Sequence, residues 1–281
     1  MQATSDGAVV SRSTTTELPT VGFGATLRSE WSKIMSVRTT WISLALALVL
    51  SVGLTMLLAW AVGLSFDDLN EADRATFDPI TFNMSGLLVA GIIFVVLGVN
   101  LVASEYSSGM IRQTLSTTPK RGRVLMAKVI VVGAIALVAG TVINIAVMVA
   151  GNIVLGAYDL PTAKLSDGDT LQALFGLTLT TPVFPILGVA VAFLLRSAAG
   201  AITAVLALLF LPSMFGQLLP QRWQEDVLGW LPGPLTDSVS IGFLDPDGAM
   251  VKNAWVAGGA LIVWLALFLG AAWWFLTKRD A

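Results

Sequence analysis

The chain has 281 residues, 56% of them hydrophobic and 12% charged, with a formal net charge of −2. Soluble domains carry roughly 25% charged residues, so this composition excludes an ordinary soluble fold. With no cysteine and no histidine, disulfides, thiol chemistry, His-based triads and the usual zinc sites are excluded as well.

Residues 1–20 are rich in Ser and Thr and read as a disordered cytoplasmic tail. The first 40 residues hold no apolar core of signal-peptide type. Residues 21–281 read as one transmembrane domain. Its first element is amphipathic: Phe23, Leu27, Trp31, Ile34 and Met35 share one helical face, with Ser29, Ser32, Lys33 and Ser36 on the other. Such a helix would lie in the headgroup plane; the alternative is a juxtamembrane extension of the first span.

Six charge-free stretches follow: Thr39 to Phe66, Pro79 to Ser104, Val129 to Tyr158, Thr170 to Leu195, Ser197 to Gln221 and Asn253 to Thr277. Each exceeds the roughly 20 residues a helix needs to cross the hydrocarbon layer. The expected spans are therefore about 40–65, 80–103, 129–157, 171–195, 197–219 and 253–277. Only Arg196 divides the fourth from the fifth, which leaves one long kinked segment or a re-entrant pair as the alternative there. Strands are excluded because β-barrel segments would be shorter and alternating. The fold class is an all-α polytopic membrane protein with six transmembrane helices.

Within the spans, Asn83 and Asn100 lie near the two ends of the second, and Asn144 and Asn152 in the third. Amides in lipid usually hydrogen-bond between helices; lining a substrate path is the sharper reading of these four. Pro182 and Pro185 should kink or unwind the fourth span. Between the fifth and sixth, a Pro- and Trp-rich outer segment suggests a short helix over Trp223–Leu231, or an aromatic-anchored loop.

Between the second and third spans runs the connector Glu105 to Lys128, with five of the sixteen basic residues against one acid. With six alternating spans and both termini in the cytoplasm, twelve basic residues fall inside and four outside, as the positive-inside rule requires. Tyr106 and Met110, like Ile111 and Leu115, are four apart, which fits a short helix with one apolar flank. Gly109 allows close approach of another backbone, and Thr118-Pro119 reads as an N-cap followed by the first helical position.

The layout Glu105, Gly109, Met110, Leu115, Thr118, Pro119 and Lys128 resembles the cytoplasmic coupling region of the ABC-2 family of ATP-binding-cassette transporter permeases. Met110 stands where a Thr is frequent in that family, and Arg112 where an acid is frequent. The entry from Leu27 to Trp41 is similar to the family's elbow helix and first span, and the likeness extends over residues 22–279. The resemblance implies a coupling helix between spans two and three that docks on a separate cytoplasmic ABC ATPase subunit. Its expected contact residues are Glu105, Tyr106, Gly109, Met110, Arg112, Leu115, Thr118 and Pro119. It further implies a homodimer or heterodimer of permeases among membrane lipids in a bacterial plasma membrane, exporting an amphipathic or hydrophobic substrate. No nucleic acid, metal, cofactor or catalytic residue is expected in this chain. No Gly-Lys dipeptide occurs in it, so a P-loop is missing. ATP-Mg would be bound by the partner. The alternatives are an ATP-independent secondary carrier, disfavoured because no ionisable group falls clearly at mid-membrane, and a non-transporting membrane sensor or immunity protein.

Overall fold

A computed structural model describes residues 22–110, 121–242, 244 and 251–278. The described residues form helices and connecting turns, with no strand among them. Helix α1 (Phe23–Ser36) is followed after one extended residue, Val37 (φ −86°, ψ 119°), by α2 (Arg38–Ser65). The short helices α3 (Glu71–Ala75) and α4 (Pro79–Met84) lead into α5 (Leu87–Ser107). Then come α6 (Arg121–Ala157), α7 (Gly168–Thr180), α8 (Val183–Leu195) and α9 (Ala198–Phe215). The chain closes with α10 (Gln221–Asp226), α11 (Pro232–Ile241) and α12 (Ala254–Lys278).

Six of these helical units are long and apolar enough to cross a membrane: Arg38–Asp68, Pro79–Ser107, Gly122–Ala157, Gly168–Leu195, Ala198–Phe215 and Ala254–Lys278. The division between spans four and five is real. Arg196 adopts the left-handed region (φ 53°), its amide donates to the Ala192 carbonyl, and Ser197 caps α9 by accepting from the Gly200 amide. Two residues thus reverse the chain. At the connector end the helices outrun the charge-free stretches: α5 continues to Ser107 and α6 starts at Arg121, so Glu105 and Lys128 are both helical.

Span four holds the bundle together. Its two halves meet at Thr181-Pro182, where Pro182 has no amide to donate to the Thr178 carbonyl one turn back and the helical ladder is broken. The hydroxyls of Thr180 and Thr181 turn back onto the Gly176 and Leu177 carbonyls at 3.0 and 2.7 Å. Pro185 is tolerated because it stands in the first turn of α8. Between Val183 and Phe193, α8 is buried almost throughout, packed with α5, α9 and α12 in the main apolar cluster. Two glycines permit this. A Cβ on Gly98 would fall 2.1 Å from the Pro185 carbonyl oxygen, and one on Gly188 2.8 Å from the Val95 carbonyl oxygen. Small residues at a crossing let two helix backbones approach closely, which is how helices associate in lipid.

The outer segment also differs from the expected form. The Trp223–Leu231 stretch is the short α10 followed by a 3₁₀ turn at Leu228–Trp230. Beyond it lies α11, which the sequence reading did not anticipate because Pro232 and Pro234 look like breakers. Both prolines sit in its first turn, where no amide donor is needed. Helix α11 is inserted among α7, α9 and α12: a Cβ on Gly233 would meet the Leu209 carbonyl, and Ser240 shares a hydrogen bond of 3.2 Å with Thr180.

Replacing Gly98 by Leu should force spans two and four apart. We expect a loss of about 1–3 kcal/mol or more from overpacking, measured as a lowered thermal unfolding midpoint in detergent, with Gly53→Leu, at a glycine with open space around it, as the control.

Candidate functional site

Helix α1 presents two different faces. Thr26, Glu30 and Ile34, spaced by four, are buried against α6, where Ile34 packs on Val131 and Ile135. Phe23 and Trp31 remain exposed. The buried line therefore includes an acid, and the predicted apolar face is split between protein contact and the outside. The elbow after α1 is tied by the Trp41 indole, which donates to the Met35 carbonyl at 3.0 Å and satisfies one of the open carbonyls at the helix end.

Glu30 is buried because Lys128 is opposite it. The Lys128 ammonium, 1% exposed, donates to Glu30 Oε2 at 2.7 Å, to Glu105 Oε1 at 2.8 Å and to the Leu101 carbonyl at 3.4 Å. Its three protons are thus all placed. Lys33 completes the group, donating to Glu30 Oε1 at 2.7 Å and to Glu105 Oε1 at 3.3 Å. Two carboxylates and two ammonium groups from α1, α5 and α6 form one neutral cluster at the connector end of the bundle. Glu105 Oε2 is buried with no hydrogen-bond partner among the described residues.

Burial by itself would raise the Glu30 carboxyl, but the Lys128 charge and hydrogen bond, helped by Lys33, outweigh it and hold Glu30 below its ordinary value. For Lys33, burial would lower the ammonium; the hydrogen bond to Glu30 and the charge of Glu105 prevail and raise it. Glu30 and Lys33 are thus both held in their charged forms by their neighbours.

A cavity of about 590 Å³ opens beside the cluster, lined by Ser36, Thr40, Ser43, Asn100, Ser104 and Met110 as well as by the four charged residues. It separates the elbow of α1 and α2 from the last turns of α5.

Among the residues expected to contact a partner, Glu105 is turned inward into the ion cluster. Tyr106 is half-buried, edge-on to Phe193 with centroids 6.3 Å apart, and the Arg196 guanidinium lies 5.4 Å from its ring centroid. It ties the end of span two to the turn between spans four and five. Gly109 takes φ +71° and ends α5, a backbone conformation that favours glycine. Among the described residues nothing lies within 4 Å of where its Cβ would stand, and Met110 is exposed. Arg112, Leu115, Thr118 and Pro119 lie outside the described residues.

The four asparagines are dispersed. Asn83 donates to Asn152 Oδ1 at 3.0 Å, and Asn152 in turn bonds the Ala163 backbone, so this pair ties α4 and α6 to the loop before α7. Asn144 is buried with its Nδ2 unpartnered. Asn100 faces the cavity beside the ion cluster.

Sequence reasoning placed Glu105 on a docking surface and did not bring Glu30 and Lys33 to it. A signal existed: Glu30 and Glu105 are among the few acids on the side of the chain dominated by basic residues. An acid that breaks the charge bias near a span is a candidate for a buried pair.

Comparison with known families bears on this arrangement. A family model described as ABC-2 family transporter protein matches residues 26–212. The chain belongs to the ABC-2 transporter family. The match takes in all four residues of the ion cluster and stops before Ser213 and α11. A search of curated proteins finds no match. As an ABC-2 protein with six apolar spans, the chain is a multi-pass membrane transport component.

Two outcomes follow from the cluster. Lys128→Met leaves Glu30 and Glu105 buried with only Lys33 between them and should cost about 3–5 kcal/mol; Lys33→Met, at a partly exposed position, should cost about 1 kcal/mol or less. Detergent unfolding midpoints measure both. Because Glu30 is held low, its contribution is fully present above the ordinary glutamate value of roughly 4.3 and is lost as pH falls through the depressed one. Lys33, held high, contributes below its ordinary value of roughly 10.4 and loses that contribution as pH rises through the raised one. Thermal stability should therefore fall below about pH 4 in the native chain, and this acid limb should flatten when all four charges are replaced by Gln and Met.

Proposed function

We propose that this chain is the permease subunit of a bacterial ABC exporter for an amphipathic or hydrophobic substrate, worked by ATP hydrolysed on a separate cytoplasmic subunit. The observation that carries the reading is the ion cluster of Glu30, Lys33, Glu105 and Lys128 at the base of the connector, within the segment matched by the ABC-2 family. Rigid coupling needs the end of span two, the start of span three and the elbow helix to move as one piece, and a buried neutral ion cluster clamps those three. A push on the connector beyond Met110 would then tilt α5 and α6 together with α1 and open the path alternately to the two sides.

The absence of a Gly-Lys dipeptide supports an external motor, with ATP-Mg held by the partner. The distribution of basic residues supports cytoplasmic termini and a cytoplasmic connector in the bacterial plasma membrane. Spans one, five and six bury the smallest share of their surfaces within the chain, which is compatible with a second permease copy, identical or not, alongside lipid.

Glu105 and Met110 have separable roles on this reading: Glu105 transmits, Met110 touches. Co-expression with its cognate cytoplasmic ABC ATPase subunit should yield a complex that co-purifies. Met110→Asp should weaken complex formation by about tenfold, roughly 1.4 kcal/mol, while leaving the unfolding midpoint unchanged. Glu105→Gln should keep the complex and uncouple ATP hydrolysis from transport. An intact complex with full transport after both replacements would overturn the proposal.

A further inference from the structure

At the opposite end of the bundle from the ion cluster, one acid has a setting unlike the others. Asp237 is the only exposed residue between Pro232 and Ser240 in the otherwise buried face-to-face packing of α11. Gly233 fixes this helix against the Leu209 carbonyl, the Trp264 indole donates to the Trp230 carbonyl at 2.8 Å just before it, and Ser240 meets Thr180 at its far end. Held at both ends, α11 turns Asp237 into a cavity of about 360 Å³ between spans two, four and five. The walls are Leu87, Leu88, Phe184, Phe210, Met214 and Ile241. Phe184 and Phe210 stand together, with ring centroids 6.1 Å apart.

Among the described residues the carboxylate has one partner, the Ser213 hydroxyl, which donates to Oδ2 at 3.1 Å. Among the described residues no Lys or Arg forms an ion pair with it. Lys252, the next cation along the chain, is engaged with the Glu225 carbonyl at 2.8 Å and lies over the Trp230 ring. The stretch 243–250 contains no basic residue at all. An acid at an apolar cavity in a membrane protein is costly unless something positive meets it. The walls are apolar and aromatic, as in small-molecule sites that use a few polar groups for orientation, and the volume lies at the lower end of their range.

We propose that this cavity is a binding subsite for the ammonium group of an amphipathic cation, with Asp237 as its counter-ion, Ser213 orienting the carboxylate, and Phe184 and Phe210 facing the apolar body. As a substrate subsite it rests on the exporter reading above and narrows the substrate to an amine-bearing amphiphile. Aromatic faces near a cation add attraction that a neutral ligand of the same shape does not receive.

The test uses the full chain in lipid nanodiscs of phosphatidylglycerol, with phenylbutylammonium as probe and phenylbutanol as its neutral counterpart, binding being measured by calorimetry. The amine should bind at least about tenfold more tightly than the alcohol, as expected for hydrogen bonds to a charged group. Asp237→Asn should bring the amine down to the level of the alcohol, and Ser213→Ala should weaken it by a few fold. Equal affinity for amine and alcohol in the native chain overturns the proposal, as does unchanged amine binding in Asp237→Asn. So does an Asn variant that alters only the association of two chains, since Asp237 would then be meeting a cation of a second copy. If Asp237→Asn does not give a monodisperse protein, the native amine-to-alcohol ratio and Ser213→Ala decide.

Nanodiscs containing phosphatidylethanolamine identify the source of the ammonium group. Competition with the probe in the native chain points to a lipid headgroup, and its absence to a soluble amine. Both results uphold the subsite. No step uses ATP, so lost amine selectivity beside an intact ATPase complex sinks only this inference. A missing complex beside intact selectivity sinks only the exporter reading.

Discussion

The bundle depends on how it buries Lys128. An ammonium group almost without solvent contact costs several kcal/mol unless it is met by opposite charge and hydrogen bonds. Here it is met by carboxylates from two other helices and one backbone carbonyl. That requirement fixes the rotation of α1 about its axis, because only the Thr26–Glu30–Ile34 line brings Glu30 to the contact. It also fixes how far α5 and α6 extend beyond the apolar layer before the connector begins. Remove the lysine and two acids face each other; remove an acid and the lysine loses one of its bonds. The cluster is therefore a joint with a defined geometry more than a source of stability.

A second constraint comes from span four. In lipid, apolar contact between helices gains little over contact with acyl chains, so close backbone approach and hydrogen bonding must hold helices together. Gly98 and Gly188 supply the approach, and at the break the Thr180 and Thr181 hydroxyls add donors to the Gly176 and Leu177 carbonyls while Thr180 also reaches α11 through Ser240. The broken span touches spans two, five and six along one half and α11 along the other. The connector end and the cavity at Asp237 are thereby linked through one packed element. Tyr106 adds a direct tie, from the last turn of α5 to Phe193 in α8 and to Arg196 in the turn that follows.

These two constraints give the ABC-2 chain a division of labour along its length. One end carries a rigid ionic clamp and an exposed connector start at Met110; the other carries an apolar cavity with a single acid. The family match covers the clamp and ends before the cavity's acid.

Composition and charge-free length alone determined that this is a helical membrane protein with six spans, since no other structure satisfies backbone polar groups over such stretches in lipid. The break at Pro182, the two-residue turn at Arg196 and the helical character of residues 23–36 were legible for the same reason: proline chemistry, charge and periodicity are local properties. The sequence also marked Glu105, Gly109 and Lys128 as a set. What it could not reveal was that Glu30 and Lys33, more than 70 residues before Glu105, complete the set, or that Glu105 faces inward. Helix α11 was hidden because its prolines stop a helix everywhere except in the first turn. Nothing in the local sequence around Asp237 marks it as the acid of an apolar cavity. Pairing between distant charges and the depth at which a loop inserts depend on three-dimensional packing, and no local pattern encodes them.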